Sequence, residues 1–240
     1  MRQTRARLLL PLVAISLLVA CERGAERDAP AAGSPPTPDA ADAAPVELAD
    51  VVETTPGYIV GISYPDSASR HPALARILKA YAEAARAELM TAVDALDGAK
   101  PSAPFDLSLQ FSALVDRPDI VVIAADGFSY TGGAHARPLV ARFVWLPGPE
   151  RLLTAESLVA TPEGWQAVAD AAREQLMTGL AQRLDADAVE GAERAEQLRL
   201  GSRMIAEGTA PEADNFAQFE PVVDADGRIR ALRFVFPPYQ

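Results

Sequence analysis

Cysteine is nearly absent: Cys21 is the only one in 240 residues, so neither an intramolecular disulfide nor a multi-cysteine metal site can form within the chain. Histidine is almost as scarce, with only His71 and His135 available to any imidazole chemistry. The chain also lacks a basic stripe or an interleaved stacking motif, and its 22 basic residues are outnumbered by 33 acidic ones, which excludes nucleic acid as a natural partner. The glycine-rich stretch 127–135 has neither the spacing nor the lysine of a phosphate-binding loop. Beyond residue 20 no apolar run is long enough for a second membrane segment.

What is present begins at the N-terminus. Arg2, Arg5 and Arg7 form a positive region, followed by Leu8 to Ala20, apolar except for Pro11 and Ser16. Thirteen helical residues cover about 20 Å against a hydrocarbon core of roughly 30 Å, so 1–20 reads as a signal peptide and not as a permanent span. Leu18-Val19-Ala20-Cys21 resembles the lipobox of bacterial lipoproteins. The resemblance implies cleavage before Cys21 and diacylation of that cysteine, which would hold the chain to a membrane through about 0.8 kcal/mol per buried CH₂. Glu22 stands where an aspartate would favour inner-membrane retention, so the resemblance implies the periplasmic side of the outer membrane in a didermal host.

Residues 21–50 then carry the acylated cysteine and a segment rich in Ala, Pro and Asp with few large apolar residues. Pro30, Pro35, Pro36, Pro38 and Pro45 interrupt helices, and the expectation is a disordered tether of roughly 3 Å per extended residue. Loss of the three n-region arginines leaves 19 basic and 33 acidic residues, a net charge of −14 that favours a cationic partner.

The remaining chain divides by pattern into an N-terminal half, 51–135, and a C-terminal half, 136–240. Tyr58 to Tyr64 is rich in β-branched and aromatic residues and predicts a strand. From Pro72 onward, Leu74, Leu78, Tyr81, Ala85, Leu89 and Leu96 recur at helical spacing. Phe105 to Val115 alternates as a half-buried strand, and Ile120 to Ala125 predicts another, ending at Asp126-Gly127. Pro138 to Trp145 predicts a further strand. Thr161 and Pro162 cap a helix whose buried face starts at Trp165, a core residue on this reading, and a second helix falls within Val189 to Ile205. Phe219 to Val223 and Ile229 to Phe236 form a last hairpin around Asp226-Gly227. Most connections between strands are too short for a helical crossover, so the fold class is α+β, with largely antiparallel sheets packed against amphipathic helices in two closely associated halves.

Gly127 to His135 is expected to be a glycine hinge between strands. Within it Tyr130, Thr131, Gly132, Gly133 and His135 form the candidate recognition turn, with positive φ expected at the glycine pair. A catalytic alternative would use Ser129 or Thr131 as nucleophile and His135 as base, or would place Asp126, His135 and nearby carboxylates around a metal in a cell-wall hydrolase or deacetylase. No constellation in the sequence establishes it, so no catalytic residue, metal or cofactor is assigned.

The strand-helix-strand opening, Tyr130-Thr131-Gly132-Gly133-Ala134-His135, Leu153 to Leu158, Asn215-Phe216 and the terminal Arg233 to Tyr239 together resemble the domain of unknown function family 3298 over most of Val51 to Gln240. Members of that family occur in lysozyme-sensing anti-sigma factors and beside peptidoglycan deacetylase domains. The resemblance implies a noncatalytic envelope module that binds a protein or cell-wall component, with a cationic lysozyme-like protein or peptidoglycan as partner. The family's last segment usually continues past the Pro-Tyr motif, where this sequence stops at Gln240.

Overall fold

A computed structural model describes residues 46–236; the signal peptide, the Cys21 lipidation site, the tether up to Pro45 and the Pro237 to Tyr239 motif lie outside the described residues. The architecture is α+β. A six-stranded sheet runs in the order β1 (Val51–Thr54), β2 (Tyr58–Ser63), β3 (Phe105–Asp116), β4 (Val121–Tyr130), β5 (Arg137–Leu146) and β6 (Arg151–Leu152). Every neighbouring pair is antiparallel except β2 and β3, which are parallel because a helix, α1 (Pro72–Asp94), carries the chain between them.

α1 covers one face of this sheet. Pro72 supplies its first turn, and Leu74, Leu78, Ala82, Ala85 and Leu89 pack on Val60, Ile62, Leu107, Leu109, Ile123 and Phe143. Tyr81 meets the rings of Phe111 and Phe143 edge-on, with centroids 6.2 and 5.6 Å away. Among the described residues the opposite face is covered only at one end, by a one-turn helix α2 (Ala155–Leu158), by α3 (Pro162–Ala186), and by a separate hairpin of β7 (Phe219–Val223) and β8 (Ile229–Phe234). There Val115, Ile120, Val122 and Val144 meet Trp165, Ala169, Phe216 and Phe219. Trp165 is buried and stacks on Phe216 at 5.4 Å, the core role expected of it. The Thr161 hydroxyl caps α3 by accepting from the Gly164 N–H at 3.2 Å. α4 (Gly191–Gly208) folds back along α3, where Gly201 makes room for Leu180.

Two details differ from the sequence-based expectations. β4 does not stop at Asp126-Gly127 but continues to Tyr130, so Gly127 is a strand residue and not part of a hinge. A Cβ at Gly127 would lie 1.9 Å from the Ser108 carbonyl oxygen and 2.9 Å from Leu109 Cα, so the glycine permits close backbone approach within the ladder. Packed structure also reaches back into the expected tether, because Leu48 lies against the α1-side core and an Asp50 carboxylate oxygen accepts from the Tyr64 N–H at 2.9 Å. The division at 135/136 falls in the connection between β4 and β5, whose residues pair from Val121–Trp145 to Ser129–Arg137, so the two halves share one sheet.

Candidate functional site: an open sheet face and its rim

Side chains alternate across a sheet, so residues between those facing α1 point to the opposite side. Near β6 that side is roofed by α3 and the β7–β8 hairpin; farther along the strands the roof ends. Strand register arranges the uncovered residues in three rows. Thr54, Ile59, Asp106 and Tyr130 form one, Val52, Gly61, Ser108, Phe128 and Pro138 the next, and Ser63, Gln110, Asp126 and Val140 the third.

A solvated sheet face is normally dominated by polar side chains. Here Val52 is 84% exposed, Phe128 38% and Ile59 37%. Between Val52 and Phe128 lie the small residues Gly61 and Ser108, and a Cβ on Gly61 would meet nothing within 4 Å. The middle row is therefore a shallow trough with apolar ends, bordered by Asp106, Gln110 and Asp126. Exposed apolar surface rimmed by hydrogen-bonding groups is the composition of a recognition surface.

The glycine turn forms one end of this face. Gly132 and Gly133 both adopt left-handed backbone, with φ of 100° and 92°, and the Tyr130 hydroxyl donates to the Gly133 carbonyl at 3.2 Å. Thr131, Gly132, Gly133 and His135 are exposed, and Tyr130 sits in the outer row beside Asp106. At the start of β5, Arg137 pairs with Glu88 of α1. Beneath the sheet, burial raises the Tyr81 hydroxyl above the usual phenol range; Arg137 opposes the shift, and the charges of Asp126 and Glu88 add to it.

The other end of the face is closed by an ion network. Arg142, in the middle of β5, donates from Nε to Glu220 at 2.9 Å and from Nη1 to Asp126 at 2.9 Å, while its backbone N–H donates to the Gln218 side chain at 2.7 Å. Arg233 donates to the second Glu220 oxygen at 2.7 Å. The side chains of Arg142 and Glu220 are only 10% and 9% exposed. This network was not anticipated, although its signal was present: Arg142 interrupts the apolar run Leu139 to Trp145, and a charge in a core strand requires a buried partner.

Of the catalytic alternative, Thr131 and His135 share the exposed turn with no hydrogen bond between their side chains, and the other parts are not brought together. Ser129 is buried on the α1-facing side, His135 is exposed in the turn, and Asp126 is held by Arg142. His71 begins α1 beside the Arg70–Asp116 ion pair, at the end of β3 remote from Tyr130. Among the described residues no group of three or more His, Cys, Asp or Glu side chains could hold a metal ion.

No family model matches the chain, and no curated protein matches it. Among solved structures, a DUF3298 family protein from Pseudomonas aeruginosa PAO1 aligns over 61% of this chain and 72% of its own, at 22% sequence identity and a TM-score of 0.40. Among the described residues no helix is long and apolar enough to cross a membrane. The described residues form an α+β domain with one partly uncovered sheet face.

Proposed function

We propose that this chain is an envelope lipoprotein, tethered to a membrane by lipid on Cys21, whose domain recognises a protein or cell-wall component without chemistry of its own. The observation that carries the recognition reading is the uncovered sheet face, where Val52, Ile59 and Phe128 stay exposed beside a trough floored by Gly61 and Ser108. The leading partner is a cationic lysozyme-like protein. Net negative charge raises the encounter rate with such a partner, Asp106 and Asp126 border the trough, and the exposed apolar residues supply short-range contact.

The anchor is tested by mass spectrometry of the mature N-terminus. Acylated Cys21 is expected, with loss of membrane association when Cys21→Ser is made; an unmodified cysteine or a retained signal segment would end the lipoprotein reading. Recognition is tested by calorimetry of the full-length chain in nonionic detergent against lysozyme and solubilised peptidoglycan at low and moderate salt. Saturable binding without product is expected. Gly61→Arg should weaken it at least tenfold, because its side chain enters open space without touching the core and places bulk and positive charge in the trough. Turnover abolished by His135→Gln would replace the recognition reading with an enzyme, and binding indifferent to Gly61→Arg would remove the sheet face from it.

A further inference from the structure

The β7–β8 hairpin carries a second surface, separate from the open sheet face. Among the described residues β8 pairs with β7 alone. The Val235 N–H donates to the Gln218 carbonyl at 2.8 Å, and hydrogen-bonded pairs alternate along an antiparallel ladder. The register therefore makes Glu220–Arg233 and Val222–Ala231 bonded pairs and Phe219–Phe234 and Pro221–Leu232 non-bonded ones. Pro221, which has no N–H to give, falls in a non-bonded pair as this pattern requires. The backbone N–H and C=O groups of Leu232 and Phe234 consequently point away from β7, toward an edge that no other described strand joins.

Along that edge runs a groove of about 620 Å³ between β8 and α3, lined chiefly by Val168, Ala172, Leu176, Leu232, Phe234 and Phe236. An edge strand beside a helix with an apolar floor between them is the arrangement by which extended peptides are bound through strand addition: backbone groups hold the added strand, and alternate side chains enter the groove. The charged side chains of the β8 strand itself are all basic, against the acidic balance of the chain. Arg228, Arg230 and Arg233 lie on or next to β8, the side chains of Arg230 and Arg233 are 61% and 65% exposed despite their pairing with Asp224 and Glu220, and the Arg117 guanidinium lies against Gly227 in the hairpin turn. Self-pairing of two β8 edges would bring both arginine sets together, an unfavourable arrangement.

We propose that this groove takes an extended peptide segment as an added strand on β8, with apolar side chains directed toward α3 and acidic ones, at the alternate positions, directed toward Arg233 and Arg230. The probe is a fluorescein-labelled nine-residue peptide alternating valine and glutamate, titrated by anisotropy against the full-length chain in nonionic detergent. Saturable binding is expected, at least tenfold tighter than for the same peptide with lysine in place of glutamate. Leu232→Pro removes an outward N–H without removing a β7–β8 bond, and should weaken binding at least tenfold. Ala171→Glu, at an exposed position on the α3 wall, should do the same through charge, and melting curves would show both variants folded. Absence of saturation, equal binding of the lysine peptide, or binding unchanged in both variants overturns the proposal. So does sedimentation showing a dimer that Leu232→Pro dissolves, which would assign the edge to a second copy of this chain.

Discussion

Gly127→Ala is expected to destabilise the domain by about 3 kcal/mol, the upper range for overpacking a filled site. The new methyl would sit 1.9 Å from the Ser108 carbonyl oxygen, and that oxygen belongs to backbone with no rotamer to change. Relief requires β3 and β4 to separate at the Leu109–Gly127 pair, in the middle of a ladder running from Asp106–Tyr130 to Asp116–Val121. For a domain of this size the loss corresponds to a fall in melting temperature of roughly 10 °C. Gly148→Ala is the control, since a Cβ there meets nothing within 4 Å, and its effect should stay within about 0.5 kcal/mol. Urea unfolding of both variants measures the contrast; equal stability would mean that the close approach of the two strands relaxes freely.

Arg142→Met should cost a similar or larger amount, about 3–5 kcal/mol, the range for removing one member of a buried charge pair. Glu220 would keep only Arg233, whose side chain is mostly exposed, and one carboxylate oxygen would lose its partner in a site 9% open to solvent. Asp126→Asn should matter far less, within about 1 kcal/mol, because that carboxylate is 55% exposed and water can replace the lost contact. The double variant Arg142→Met with Glu220→Leu should recover much of the loss, since it removes both charges together. Denaturant curves for the three variants decide the matter. A loss below about 1 kcal/mol in Arg142→Met would show that the network contributes little to holding the hairpin on the sheet.

Much of the fold was legible in the sequence because its periodicities are local. The helical spacing after Pro72, the alternation of Phe105 to Val115 and the Thr161-Pro162 cap all have their counterparts in the structure. β4 shows where local reading fails. Val121 to Ala125 are all buried because both faces are covered there, whereas Asp126 to Ser129 alternate because only α1 remains beneath them. In one dimension that change coincides with an Asp-Gly pair and resembles a strand end. The left-handed glycines at 132 and 133 were readable from their type, since positive φ strains other side chains. The three-row face was not readable, because it depends on a roof that ends partway along the strands, a relation among elements distant in sequence.

The continuous sheet also bears on how the domain comes apart. Val121, Ile123 and Ala125 belong to the core under α1, while Val122, between the first two, belongs to the core under α3. One five-residue stretch of β4 is thus shared between both hydrophobic layers, and neither layer can be dismantled without withdrawing the strand from the other. Melting is therefore expected to be all-or-none for the sheet and the elements stacked on it, which coincident circular-dichroism and tryptophan-fluorescence transitions would check. α4, whose main contact is with α3, stands outside that linkage and is expected to open before the sheet does, which faster amide exchange over Gly191–Gly208 than over the sheet strands would check.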